Sequence, residues 1–104
     1  MNIYLAQQKN TPFFKIGVTK KKPELRLKEL QTGSPILLEL KISYQTKYDF
    51  MLENALHNHF KLKRVNSEWF ELDEEEIKYF VETCKKLETS FEVLKDNVFF
   101  KKIR

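Results

Sequence analysis

Polar and apolar positions alternate with a period of two in three stretches of the first half of the chain. From Asn2 to Ala6, Ile3 and Leu5 share one side while Tyr4 takes the other. In FFKIGV, Phe14, Ile16 and Val18 alternate against Phe13, Lys15 and Gly17. Successive side chains of an extended strand point to opposite faces, so this pattern predicts two strands. The polar turn at Asn10, Thr11 and Pro12 joins them into an antiparallel hairpin. With both aliphatic faces on the core, Tyr4 and Lys15 project together from the opposite face, beside Gly17, which leaves that face open. In SPILLELKISY, Ile36, Leu38, Leu40, Ile42 and Tyr44 alternate against Leu37, Glu39, Lys41 and Ser43, predicting a third strand at the centre of the sheet.

Between these strands the period changes. PELRLKELQ has Pro23 at a helix start and Gly33 soon after its end, with Leu27 and Leu30 on the apolar face and Arg26 at its edge. From Lys47 to about Phe60, Tyr48, Met51, Leu52, Ala55, Leu56 and Phe60 recur at helical spacing, with Glu53 on the rim beside Leu56 and Phe60. A turn around Val65, Asn66 and Ser67 leads through EWFEL to a last helix. Asp73 caps that helix, and its face is Ile77, Phe80, Val81, Cys84 and Leu87. The acidic first turn, Asp73 to Glu76, complements the helix dipole. Trp69 is expected to pack under this helix, with Glu68 orienting a neighbour. The tail SFEVLKDNVFFKKIR reads as a hairpin about Asp96 and Asn97 or as a loose basic end.

Length and composition bound the rest. The 104 residues are read as one domain, 1–104. A chain of this size buries roughly 65% of the surface its unfolded form exposes. No apolar run approaches the ~20 residues of a membrane span. The N-terminal segment lacks the cationic and long apolar regions of a secretory signal, and the single Cys84 excludes an internal disulfide, so a cytoplasmic setting is expected. The net charge is +4, unevenly spread: residues 1–64 carry 12 Lys or Arg against 5 Asp or Glu, and residues 65–90 carry 3 against 8. The basic portion suits phosphate binding, and it equally suits an ordinary solvated surface.

Glu53, His57 and His59 lie within one helical segment. Glu53 and His57 are neighbours on one flank, whereas His57 and His59 diverge, so the helical pair that zinc needs is absent. His59 reads as a core histidine. Glu53 has three readings: a rim carboxylate paired with lysine, a partner of His57, or a ligand of a hard cation.

The segments IYLA, FFKIGVT, ELRLKELQTGSP, LENALHNHF and SEWFEL occur in this order over residues 2–72. Together they resemble the GIY-YIG nuclease superfamily, and most closely its T5orf172 branch; residues 73–104 form a helix and tail outside the match. The resemblance implies an α/β protein of the α+β kind, a small three-stranded antiparallel sheet flanked by helices. It implies catalytic roles for Tyr4, Lys15, Arg26 and Glu53, with Glu53 holding one Mg²⁺ or Mn²⁺ ion and Arg26 clamping the scissile phosphate. Gly17, His57 and Asn66 are supporting residues, and Lys20, Lys21, Lys22 and Lys28 are DNA-binding candidates. Lys15 stands where the superfamily often has tyrosine, and Leu30 where many relatives have His or Tyr.

The implied activity is metal-dependent hydrolysis of DNA, one strand per site, with RNA also open and no membrane involved. Metal, cation and base are the groups this chemistry needs. The base is Tyr4 or Lys15. A phenol titrating near ~10 serves at neutral pH only if its pKa is lowered, which Lys15 and a metal ion favour. Two other functions fit the same residues: a nucleic-acid-binding module without strong activity, and a protein-interaction domain using its acidic helix. Individually, Tyr4 also reads as a strand aromatic, Arg26 as a surface cation reaching Glu24 or Glu29, and Lys15 as an edge-strand lysine.

Overall fold

The computed structural model describes residues 1–96. The elements are β1 (Asn2–Gln8), β2 (Phe13–Thr19), α1 (Pro23–Thr32), β3 (Leu38–Gln45), α2 (Asp49–His59), a 3-10 turn (Lys61–Lys63), β4 (Arg64–Asn66), β5 (Trp69–Glu71), α3 (Glu74–Lys78) and α4 (Phe80–Asp96). All strand pairings are antiparallel and the order is β3-β1-β2-β5-β4. The α+β class therefore holds, but the sheet has five strands, not three. The added pair β4 and β5 is a hairpin of three-residue strands, too short to alternate visibly, turning at Ser67 with a φ of 42°.

β3 is an edge strand and β2 is the middle one, contrary to the expected order. Burial explains why. Ile3, Tyr4, Leu5 and Ala6 of β1 are buried on both faces, as an inner strand requires, whereas β3 is buried only in part. The alternation of β3 also does not stay on one face. A bulge opposite Leu5 and Ala6 makes Ile42 the partner of Leu5 and Leu40 the partner of Ala6. Ile42 and Tyr44 thus join the core while Leu38 and Leu40 turn to the other face, where α1 packs on β3 and β1.

The core lies on the face bearing Ile3, Leu5, Phe14, Ile16 and Phe70, closed by Leu52, Leu56 and Phe60 of α2 and by Phe80 and Cys84 of α4. Since Phe70 occupies the core, its neighbour Trp69 takes the opposite face and does not pack under the last helix. His59 is exposed with its ring edge-on to Phe60, not in the core, and Glu53 is buried, not on a rim. The last helix is broken at Tyr79 into α3 and α4. Its second part runs on to Asp96 where a hairpin had been one reading, because Phe91 continues the apolar row of Phe80, Cys84 and Leu87. The remainder of that tail reading, 97–104, lies outside the described residues. Among the described residues, no helix is long and apolar enough to cross a membrane.

At the start of α3, Asp73 accepts from the Glu76 N–H at 2.8 Å and Glu76 returns a bond to the Asp73 N–H at 2.9 Å. This reciprocal cap satisfies two donors that a helix start leaves unpaired. Asp73→Ala is expected to cost about 1 kcal/mol, read as a lower urea midpoint with unchanged slope.

Candidate functional site

α1 packs over β3 and β1. The half of that sheet face formed by β2, β5 and β4 is where the polar residues collect. Tyr4 and Gly17 are direct cross-strand partners, and the Tyr4 ring lies across the glycine. A Cβ placed on Gly17 would lie 2.7 Å from Tyr4 Cε2 and closer still to Cζ and the hydroxyl oxygen. Only a residue without a side chain lets the ring rest there. Lys15 is two residues earlier on the same face, between its partners Ala6 and Trp69, and its ammonium is paired with the Glu68 carboxylate. From α1, the Arg26 guanidinium lies beside the Tyr4 hydroxyl and 3.4 Å from Glu29.

Glu53 and His57 reach the same place from the core side, around the edge of β2. β5 pairs with Phe13, Phe14 and Lys15, and its turn adds one further bond, from the Ile16 N–H to the Glu68 carbonyl at 3.1 Å. Beyond that point two side chains of α2 stand in for a strand. His57 Nε2 lies 2.8 Å from the Ile16 carbonyl, and because a carbonyl only accepts, that nitrogen carries the proton. One turn earlier, the Glu53 carboxylate lies beside the Val18 N–H. Residues four apart on a helix are stacked on one side, which matches the two-residue step along the strand edge.

The electrostatics follow from this crowding. Burial pushes the Glu53 carboxyl above its ordinary pKa, and the negative charge of Glu68 pushes the same way; His57, the Val18 N–H and Lys15 pull it back in part. Burial likewise raises Tyr4 above the usual phenol value. Arg26 opposes this, while Glu68 and Glu53 add to it. The lowered phenol expected from Lys15 is therefore not what this arrangement produces.

Six of the seven singled-out catalytic and supporting residues, Tyr4, Lys15, Gly17, Arg26, Glu53 and His57, meet at this edge. The seventh, Asn66, is on β4, lining a hollow with Gln8, Phe13, Val65 and Trp69. Lys20, Lys21, Lys22 and Lys28 are exposed on α1 and the loop before it, with Lys21 bound to Glu29 at 2.6 Å. Leu30 is half-buried. Glu68 is the member the sequence under-weighted: it does orient a neighbour, but that neighbour is Lys15, 53 residues away. Among the described residues, no three His, Cys, Asp or Glu side chains converge as a metal held by three such ligands requires.

Fold and cluster together define a small α+β protein whose mixed-charge site is seated on the half-paired edge of the central strand of an antiparallel sheet. The T5orf172 domain matches residues 1–85, a span that takes in all five strands and the start of α4, and the chain belongs to that family. Neither a curated protein nor a solved structure matches the chain.

Proposed function

We propose that this protein is a divalent-metal-dependent endonuclease of GIY-YIG type that hydrolyses DNA one strand at a time. The observation that carries the reading is the meeting of Tyr4, Lys15, Arg26 and Glu53, from four separate elements, at one edge of β2. Membership of a family associated with nuclease-like and DNA-binding modules supports it.

The residues fit a hard cation. Glu53 is a buried oxygen donor whose ionised form burial and Glu68 both disfavour, so positive charge placed beside it relieves an existing cost. A single carboxylate with several waters suits Mg²⁺ or Mn²⁺ better than zinc. Such an ion, when bound, polarises the phosphate and makes a bound water more acidic. Arg26, held between Tyr4 and Glu29, presents a guanidinium to the phosphate and offsets the charge that grows in the transition state. Tyr4, kept protonated by burial, donates a hydrogen bond and does not serve as the base. Lys15 faces the same space as an ammonium paired with Glu68, so it holds the attacking water by its oxygen and does not take its proton.

Supercoiled plasmid tests this directly. With Mg²⁺ or Mn²⁺ the protein is expected to yield nicked circles before linear product; EDTA abolishes the reaction and Arg26→Ala slows it about 10²- to 10³-fold. Cleavage that persists equally in EDTA and in Arg26→Ala belongs to a contaminant and sinks the reading. Salt-sensitive binding without cleavage favours a binding module of the same fold.

Tyr4→Phe separates the two proton roles. It should lower the rate by about 10-fold or more while leaving the shape of the pH–rate profile unchanged. If the native rate rises toward alkaline pH and that rise is lost on removing the hydroxyl, Tyr4 is restored as the base.

A further inference from the structure

The hollow bounded by Gln8, Phe13, Val65, Asn66 and Trp69 lies on the same sheet face as Tyr4 and Lys15. Phe13 precedes Lys15 by two residues on β2, and Trp69 is the direct cross-strand partner of Lys15. Side chains so paired stand about 5 Å apart, so the aromatic hollow and the polar cluster share a wall. Both rings are half-buried, and Asn66 pairs with Trp69 across the β4–β5 hairpin, which places its carboxamide on this face as well.

We infer that this hollow is a subsite for an unpaired nucleobase of the nucleic acid whose phosphate the cluster handles. The inference rests on the nuclease reading and adds to it a preference for substrate with an unpaired nucleotide at the site. Aromatic walls give a flat base a stacking surface whatever its identity. The carboxamides of Gln8 and Asn66 each offer both donors and acceptors, which is what a base edge pairs with. Lys15 at the shared wall supplies the positive charge that draws the adjoining backbone. A base inside a duplex is stacked on its neighbours and shows only its groove edges, so it reaches such walls only after leaving the stack.

Trp69 is the only tryptophan of the chain, so its emission reports on this hollow alone. In EDTA, which stops cleavage, the protein is titrated with a single-stranded oligonucleotide, a blunt duplex of the same length, and the single strand with abasic positions; ribose and deoxyribose versions distinguish RNA from DNA. Labelled-strand anisotropy reads binding in parallel. The single strand is expected to quench Trp69 and to bind at least about 5-fold less tightly to Trp69→Leu, while Trp69→Phe, which keeps a ring, restores binding. The duplex and the abasic strand should quench little.

Binding with unchanged Trp69 emission, or equal affinity in Trp69→Leu, overturns the subsite. Metal-dependent nicking with a silent Trp69 overturns it while the nuclease reading stands; quenching that needs the base, without nicking by the native protein in metal, does the reverse. An emission change produced equally by duplex and single strand, or by protein concentration alone, assigns the hollow to another occupant.

Discussion

Glu53→Gln is expected to stop metal-dependent nicking, by about 10²-fold or more, while making the protein more stable at neutral pH. The amide keeps the shape of the side chain and an oxygen beside the Val18 N–H, so the strand edge stays covered. What disappears is a negative charge that burial and Glu68 oppose. A carboxyl whose pKa is raised by folding binds its proton more tightly in the native state than in the unfolded chain. Below the unfolded value of about 4.3 both states are protonated and the site carries no penalty. As pH climbs from there to the raised native pKa, the unfolded chain gives up its proton first, and stability falls; above that window the whole penalty remains.

The stability gain of Glu53→Gln should thus be present at pH 7 and shrink toward zero near pH 4. A gain of about 1 kcal/mol would appear as roughly 4–8 °C in Tm. Mg²⁺ should stabilise the native protein, by about 2.7 kcal/mol at a hundred times its Kd, and leave Glu53→Gln unmoved. Native-like nicking by Glu53→Gln, or a variant less stable at every pH, would show that the carboxylate is there for the fold.

The second large effect is at Gly17. Gly17→Ala should cost about 1–3 kcal/mol and most of the activity, because the new methyl group occupies space already filled by the Tyr4 ring. Tyr4 is 2% exposed, so the ring has little freedom to swing aside. Displacing it moves the hydroxyl beside Arg26, and misplacing a reacting constellation by about 1 Å costs on the order of 10²-fold in rate. The pair is tested by a double-mutant cycle in urea. With Tyr4→Ala the ring is gone, and adding Gly17→Ala should then cost much less than it does in the native protein. Additive costs would place the fault in the β2 backbone and not in the contact.

The hairpin of β1 and β2 was legible because each strand is long enough to alternate, and from that alternation alone Tyr4, Lys15 and Gly17 fell on one face. Arg26 and Glu53 were drawn in by resemblance; no periodicity tells that a helix on the far side of the sheet reaches around its edge. Four things were hidden for physical reasons. β4 and β5 are shorter than the pattern that would reveal them. The bulge in β3 divides an unbroken alternation between two layers, and a single inserted residue leaves no mark in hydropathy. In EWF, two adjacent aromatics must take opposite faces, but nothing local says which one faces the core; contact of Phe70 with the distant core residues decides it. The Lys15 to Glu68 pair is hidden for the same reason of distance along the chain.

The sealed edge of β2 also bears on what a descendant of this chain could discard. A copy that drifted out of chemistry and survived only as a scaffold would still need something hydrogen-bonded to the Ile16 carbonyl, so His57 or a surrogate would persist there and tell nothing about turnover. At position 53, however, the scaffold is served as well by glutamine, without the buried charge. Of the two residues on that helix flank, the histidine marks inheritance of the architecture, and the acid marks a demand the architecture does not make.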